Sequence, residues 1–301
     1  MSAIGIHLLT ETPVSAAPVR LATRRSAPLL HPLDWPLSQL SALGERPQAG
    51  LGLAGRPLGD WLLATELADP ASEALEQSLR RVGVQTGTAD RLVITSQFFG
   101  SYVSQLATAA LACFLLDSRV PDLSAENAAV HIGRDGRVDE IRFLGGGFTT
   151  LPGDDAADHP DAVVVGDRTA LRETLVRSLT SGHLDELIWT LQARRSLGTR
   201  ALWAAVEDRC VGAVLWLGKR LAVHLDIEDE ARALSQTPPF VGTSGVQISL
   251  EDGRPELVLK RGFCCLTYRI DGRSACQTCP LRTSTRSTAG CKAREPGAAS
   301  Q

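Results

Sequence analysis

The stretch RGFCCLTYRIDGRSACQTCPL, residues 261–281, contains four of the seven cysteines of this 301-residue chain. Cys264 and Cys265 are adjacent, and ten residues separate them from the CxxC pair Cys276 and Cys279. Four closely spaced thiolates bind soft or redox-active metals. The spacing therefore predicts that this part of the chain folds around a metal centre, and that the rest of the sequence forms the scaffold that holds it.

Three chemistries are compatible with these four thiols. A structural zinc site usually takes two CxxC-like pairs, whereas side chains of adjacent residues in an extended segment point in opposite directions, so an adjacent pair suits one tetrahedral ion poorly. A two-iron cluster offers two metal centres and accommodates an adjacent pair more easily. Disulfides need an oxidising compartment, and the sequence shows no secretory pattern. Iron–sulfur, zinc and purely structural roles all stay open on spacing alone.

The same stretch resembles the C-terminal signature of the siderophore-iron reductase (ferric iron reductase) family, whose members carry a [2Fe–2S] cluster on a C-C-x10-C-x2-C motif. The match covers the four cysteines, Tyr268 and Arg269 after the first pair, and Pro280 after the last cysteine. A weaker resemblance to the same family runs through SLGTRALW at residues 196–203. That region is also similar to the C-terminal domain of siderophore synthetases, which lack the cysteine motif. Together the similarity covers the chain from about residue 90 to residue 281.

The resemblance implies a cytoplasmic ferric-siderophore reductase with a [2Fe–2S] cluster that passes one electron to Fe(III) and releases Fe(II). The implied cluster ligands are Cys264, Cys265, Cys276 and Cys279. Candidate substrate-binding residues, close to the cysteines or in the upstream segment, are Lys260, Tyr268, Arg269 and Arg200. The partners would be a ferric siderophore and an external electron donor such as a ferredoxin or its reductase, because the sequence lacks a dinucleotide-binding fingerprint.

Two other classes of function are compatible with the sequence. One is a non-redox binding or structural protein with zinc at the four thiols, and the other is an iron–sulfur electron relay or redox sensor without a siderophore substrate. A role in siderophore biosynthesis is a third and weaker interpretation, because nothing in the chain resembles the nucleotide-binding residues that a synthetase needs.

Composition and charge indicate which classes of partner the protein is expected to have. The chain is 44% hydrophobic with a net charge of −3, as in soluble globular proteins, and no nucleic-acid partner is expected. The longest apolar run, residues 103–116, is too short to span a bilayer. Residues 254–294 contain nine Lys or Arg against Glu256 and Asp271, a local charge of +7. Such a patch would stabilise an anionic cluster and steer an acidic partner toward it.

The patterning predicts an α+β fold, predominantly helical with short antiparallel hairpins and a C-terminal cysteine-ligated loop. We expect a partly irregular region over residues 1–89, a mainly helical scaffold over 90–253, the cluster-binding segment over 254–282 and a disordered tail over 283–301.

Individual elements follow from periodicity and capping residues. The predicted helices cover residues 71–82, 97–116, a segment capped by Asp167 and ended by Gly182, and a long helix capped by Thr199. The predicted hairpins lie at residues 129–143 and 246–260, the second leading directly into the cysteines. Cys113, Cys210 and Trp203 are expected in the helical core, Cys291 has no assigned role, and the six histidines show no ligand spacing.

Overall fold

The computed structural model describes residues 31–44, 47–54, 61–194, 197–221, 223, 225–251 and 254–282. The expected disordered tail with Cys291, and the first thirty residues of the expected irregular region, lie outside these ranges. The division of the chain into domains stays a prediction. The described residues share a continuous apolar core to which both the residues before position 90 and those after it contribute.

Helices alternate with short strands along the chain. The helices are α1 (Asp34–Ala42), α2 (Ala64–Ala68), α3 (Glu73–Thr86), α4 (Arg91–Asp117), α5 (Arg168–Leu179), α6 (Asp185–Ala193), α7 (Thr199–Arg220) and α8 (Ile227–Ser235). The strands are β1 (Gln48–Leu51), β2 (Trp61–Leu63), β3 (Val120–Pro121), β4 (Ala128–Ile132), β5 (Val138–Phe143), β6 (Phe148–Thr150), β7 (Ala162–Val164), β8 (Gly245–Glu251) and β9 (Arg254–Lys260). The α+β class predicted from the sequence is confirmed.

The central element is α4, which packs along α7 and is also in contact with α1 and α3. It starts six residues before the predicted position, because the Asp90 carboxylate caps it by accepting a hydrogen bond from Leu92 N at 3.0 Å. The helix has 27 residues, hence a length of about 40 Å, and is buried on most sides. It is long and apolar enough to cross a membrane, but 83% of its most apolar window is buried inside the protein.

Two small sheets flank the helices. In the first, the strand order is β1-β5-β4-β2, with β1 parallel to β5 and the other neighbours antiparallel. The hairpin β4–β5 pairs Ala128 with Phe143 and confirms the first predicted hairpin. In the second sheet the order is β3-β6-β7.

The segment between α5 and α6 differs from the prediction. Asp167 caps α5 as expected, accepting from Ala170 N at 2.8 Å. Gly182, however, does not end the helical segment, because a π-helical turn, Thr180–Leu184, continues directly into α6. Buried His183 fixes this turn. Its Nδ1–H donates to Leu123 O at 2.6 Å, and its Nε2 accepts from the Tyr102 hydroxyl on α4 at 2.6 Å. These contacts stabilise the π-helical turn, so the helical segment continues past Gly182 where it was predicted to end.

The helix α7 also begins differently. Gly198 occupies the N-cap position and Thr199 is the first helical residue, so the predicted Thr199 cap is wrong. The Thr199 hydroxyl instead contacts the side-chain amide of Gln192 at the end of α6. Further along the buried face of α7, Cys210 is fully buried, as Cys113 is on α4, and burial raises the pKa of both thiols. Trp203 is packed against the core from its edge.

The second predicted hairpin is confirmed as β8–β9, an antiparallel pair in which Gly245 faces Lys260. It packs against α7 and α8. Because β9 ends at Lys260, the hairpin delivers the chain to Arg261 and the cysteine stretch at a fixed position beside α7.

Candidate metal centre

The cysteine loop, residues 261–282, lies on the N-terminal half of α4. Ser96 Oγ donates a hydrogen bond to the carbonyl oxygen of Cys265 at 2.9 Å. The Gln97 side-chain amide donates to the same oxygen at 3.3 Å and to the Thr267 hydroxyl at 3.1 Å. Arg137, in β4–β5, donates to Gln97 Oε1 at 2.9 Å and so holds the amide in position. The loop is therefore tied to α4 just after the adjacent cysteines.

The second attachment is the buried carboxylate of Asp208, in the middle of α7. It accepts hydrogen bonds from Gly262 N at 2.8 Å, Phe263 N at 3.2 Å and Arg261 Nε at 3.1 Å. Ser244 Oγ donates to it at 2.6 Å. A buried carboxylate requires such donors to offset its lost hydration. With all of them in place, it fixes the chain immediately before Cys264.

A left-handed turn follows the adjacent cysteines. Leu266 has φ of 58°, in the region that non-glycine residues rarely adopt, and a short 3-10 turn, Thr267–Arg269, comes next. The backbone N–H groups of Leu266 and Thr267 donate toward the sulfurs of Cys264 and Cys265 respectively. The turn thus directs two N–H donors at two neighbouring sulfurs, an arrangement that favours the thiolate form.

The four thiols of the loop converge. Cys264 Sγ lies 3.8 Å from Cys279 Sγ, and the Cys276 thiol interacts electrostatically with the thiols of Cys265 and Cys279. Two sulfurs each about 2.3 Å from one tetrahedral metal lie about 3.8 Å apart, so the pair Cys264 and Cys279 fits two ligands of a single metal without rearrangement. The site therefore fits a soft metal, and this spacing suits zinc and iron equally.

The thiols differ in how readily they ionise. Burial raises the pKa of Cys264 to about 11, with the Cys279 thiol adding to the effect and the Leu266 N–H opposing it. Burial and the Cys265 thiol likewise raise the pKa of Cys276. For Cys265, burial is outweighed by the hydrogen bonds from Thr267 and by neighbouring arginines, so its pKa is lowered. Of these three thiols, Cys265 is therefore the one best prepared to bind a metal as thiolate.

Two arginines provide positive charge at the sulfurs. The Arg261 guanidinium lies 3.7 Å from Cys276 Sγ while also pairing with Asp208. The Arg209 guanidinium interacts electrostatically with Cys265 and Cys276. Burial and the nearby charge of Arg261 lower the pKa of Arg209. A group of four metal-bound thiolates is anionic, so both cations favour a loaded site.

The candidate substrate residues occupy separate positions. Lys260 and Tyr268 are exposed near the cysteines. Arg269 forms an ion pair with Asp90, the cap of α4, at 2.6 Å. Arg200 is exposed at the start of α7, about 12 Å along the helix axis from Asp208. The structure brings the first three to the rim of the cysteine loop but does not place Arg200 with them.

Sequence reasoning missed the residues beneath the loop: Ser96, Gln97, Asp208, Arg209 and Ser244. One signal was available. Within the apolar stripe of α7, Glu207, Asp208 and Arg209 form a charged run, and charges on a buried helix face need partners. Glu207 uses its carboxylate to accept from Thr243 Oγ1 at 2.7 Å and Ser244 N at 2.8 Å, at the start of the second hairpin.

A second cluster of potential ligands lies elsewhere, contrary to the expectation that the histidines are unrelated. His31, His159 and Asp161 bring ligand atoms within 4.8 Å of one another. Nδ1 of His31 accepts from Leu33 N, and Nδ1 of His159 accepts from Asp161 N, each at 3.2 Å. Nε2 of His31 is buried without a hydrogen-bond partner and lies 3.5 Å from Asp161 Oδ2.

An α+β scaffold with four converging thiols and adjacent cations defines a candidate metalloprotein with a surface metal centre. Residues 96–240 match the family described as "Ferric iron reductase FhuF-like transporter". This match, over 145 of the 301 residues, supports assignment to the siderophore-iron reductase family and a ferric reductase-like role in iron acquisition. The matched region contains Ser96, Gln97 and Asp208, which hold the loop, and ends before the cysteines themselves.

Solved structures with similar folds include the aerobactin synthetase IucA from a hypervirulent pathotype of Klebsiella pneumoniae, at 14% identity and a TM-score of 0.43. The alignment covers 52% of this chain and 32% of the synthetase. The ATP-bound form of the same synthetase aligns at 12% identity and a TM-score of 0.42, over 52% of this chain and 31% of the other. The alignment thus spans about a third of either synthetase chain. No curated protein sequence matches the chain significantly.

Proposed function

We propose that the protein is a cytoplasmic ferric-siderophore reductase whose cysteine loop holds a [2Fe–2S] cluster. The observation that carries the proposal is the convergence of four thiols in one loop, with Cys264 Sγ 3.8 Å from Cys279 Sγ and the Cys276 thiol interacting with Cys265 and Cys279. Four thiolates form the ligand set of a two-iron cluster, and two metal centres accommodate the adjacent cysteines more easily than one tetrahedral zinc does. The match of residues 96–240 to the ferric iron reductase family supports the reductase part of the proposal.

When bound, the cluster would supply one-electron redox chemistry. The chain's own residues have three tasks. Asp208, Ser96 and Gln97 hold the loop backbone, the N–H groups of Leu266 and Thr267 favour thiolate, and Arg209 with Arg261 offsets negative charge. The substrate would be Fe(III) held by the hard oxygens of a siderophore. Fe(II) binds such oxygens much more weakly, so reduction by one electron releases it.

The electron would come from a separate donor such as a ferredoxin or its reductase. The exposed residues Lys260, Tyr268 and Arg269 at the rim of the loop are candidates for contact with an anionic ferric siderophore or with an acidic donor. Exposed cations of this kind accelerate association with acidic partners at low ionic strength.

The first test is the metal content of anaerobically purified protein. We expect two irons and two acid-labile sulfides per chain, no zinc, and an EPR signal that appears on reduction with dithionite. The reduced protein should then transfer one electron per chain to a ferric siderophore, detected by trapping Fe(II) with a ferrous chelator. One zinc and no sulfide would overturn the proposal. An intact, reducible cluster that reduces no ferric siderophore would favour an electron relay or sensor.

A matched set of variants assigns the ligands. Replacing Cys264, Cys265, Cys276 or Cys279 by serine should each lower the iron content. The same replacement of Cys113 or Cys210, which are buried in the helices, should leave the iron-to-protein ratio of the folded protein unchanged. Equal iron in all six variants would exclude the cysteine loop as the binding site.

A further inference from the structure

The charges around the cysteine loop are distributed unevenly. Arg209 interacts with Cys265 and Cys276, and the Arg261 guanidinium lies 3.7 Å from Cys276 Sγ. The groups that act on Cys264 are, in contrast, the neighbouring thiols and the Leu266 N–H. Among the residues that the structure describes, positive charge therefore approaches the Cys265–Cys276 pair from the side of α7.

Arg209 differs from the other arginines here in how its charge is compensated. Arg261 pairs with Asp208, and Arg269 pairs with Asp90. Among the described residues no ion pair joins Arg209 to a carboxylate, although Asp208 and the thiols of Cys265 and Cys276 stabilise its charge electrostatically. A partly buried cation held only by such attractions gains further stabilisation from negative charge added at the sulfurs.

The Arg209 guanidinium lies close to Gly100 on α4. A Cβ built on Gly100 would lie 2.7 Å from a terminal nitrogen of Arg209. The absence of a side chain at position 100 thus leaves room for the guanidinium against α4, one turn after Ser96 and Gln97, which hold the loop. From this position Arg209 interacts electrostatically with Cys265 and Cys276.

We propose that Arg209 tunes the metal centre: its guanidinium, which has no ion pair of its own, stabilises the reduced state and so raises the reduction potential. The inference rests on the proposed function, because it concerns the same four-cysteine site. On reduction the centre gains one electron from an external reductant, which is dithionite in the test below, and no protein bond forms or breaks. The added negative charge is attracted by a cation that is only partly hydrated, where Coulomb interactions are strong.

The experiment is a redox titration of the loaded full-length protein, followed by EPR, for the wild type, R209Q, R209K and R269Q. In R209Q the reduced-to-oxidised ratio at a fixed solution potential should fall at least tenfold, equivalent to about 59 mV for one electron. R209K retains the charge and should stay closer to the wild type. R269Q removes an exposed cation that is already paired and should have a much smaller effect.

A measurement at high ionic strength and a second variant keep the test informative even if R209Q does not fold. The shift in the reduction potential of R209Q should persist at a salt concentration of about 0.5 M, because partly buried charges are screened weakly. Gly100→Ala keeps the charge but forces the guanidinium to move, and should also change the potential. An unchanged potential in both R209Q and G100A, with full iron and sulfide, would overturn this inference alone. Absence of iron and sulfide from the wild type would overturn the proposed function as well.

Discussion

At the scale of single residues, the site depends on groups beneath the cysteines as much as on the cysteines themselves. Asp208 is buried with 1% of its surface exposed and satisfies two backbone N–H groups, a hydroxyl and a guanidinium. Arg261 is the only charged group among these donors. The carboxylate therefore fixes the loop and neutralises a cation at once, whereas asparagine loses the charge and turns one accepting oxygen into an NH2 group that faces two donors.

We expect D208N to lower the free energy of unfolding by about 3 kcal/mol, because it leaves Arg261 buried without a counter-charge. The variant should also retain less iron. Urea unfolding followed by circular dichroism, with iron analysis, measures both effects. The matched control is D90N, which breaks the exposed pair with Arg269 but keeps a good N-cap, and should change stability by less than about 1 kcal/mol. Equal losses in the two variants would show that burial of the pair is unimportant.

At the scale of elements, the π-helical turn between α5 and α6 is held to α4 by one histidine. His183 is buried, and burial lowers its pKa to about 4, from an ordinary value near 6.5. Protonation would give Nε2 a hydrogen and break its role as acceptor for the Tyr102 hydroxyl. The contact between this turn and α4 is therefore sensitive to acid.

The sign of the pH effect follows from the lowered pKa. Below pH 6.5 the unfolded chain binds a proton at His183 that the folded protein does not, so stability is lost as the pH falls from about 6.5 to about 4. The loss from this group approaches about 3 kcal/mol. Urea unfolding at several pH values gives the free energy of unfolding as a function of pH. Between pH values of about 6.5 and about 4 this free energy should change less in H183N than in the wild type. The same pH dependence in both proteins would contradict the assignment to His183.

A second prediction at this scale concerns the partner of that histidine. Tyr102→Phe removes the hydroxyl and leaves Nε2 of His183 as a buried acceptor without a donor. The expected cost is about 1–3 kcal/mol in the free energy of unfolding, measured at pH 8 where the ring is neutral. Ser104→Ala, on the same helix, serves as a comparison for the loss of a partly buried hydroxyl, because that hydroxyl donates to Gly100 O of its own helix. An unchanged free energy of unfolding in Y102F would imply that the hydrogen bond between Tyr102 and His183 contributes nothing to stability.

Elements also show how far the sequence alone could lead. The hairpins β4–β5 and β8–β9 were predicted because alternation and turn residues act locally. The prediction at Gly182 was wrong because distant contacts of His183 with Leu123 and Tyr102 continue the helical segment, and the prediction at Thr199 was wrong because the adjacent Gly198 takes the N-cap position. The four thiols were evident from spacing, whereas Asp208 and Arg209 lie more than fifty residues upstream and become part of the site only through packing.

At the scale of the whole molecule, most of the core lies outside the cysteine loop. The apolar residues of α4, α5, α6 and α7 are buried together with those of the first sheet, and from the loop Phe263 joins this core while Leu266 packs against it. Hydrophobic burial of this extent is sufficient for a stable fold in a chain of this size. We therefore expect the core to fold without a metal at the candidate site.

Removal of the metal should therefore affect the loop and leave the core intact. After anaerobic chelation, we expect the far-ultraviolet circular dichroism to stay close to that of the loaded protein. Limited proteolysis should cut more rapidly within residues 264–282, because the four cysteine thiolates are no longer joined by a shared metal. Fragments are identified by mass spectrometry, and cleavage within α4 is the internal reference. A cooperative loss of helical signal on chelation would show that metal binding and global folding are one process.

The way in which α4 and α7 grip the cysteine loop has a consequence for protein engineering. Ser96 and Gln97 contact the carbonyl oxygen of Cys265, and Asp208 contacts the N–H groups of Gly262 and Phe263. These bonds recognise main-chain atoms, which every amino acid possesses. A chimera that receives the outer part of the loop from another family member should therefore dock on this scaffold unchanged. Libraries of such grafts would allow redox behaviour to be diversified while the supporting framework stays constant.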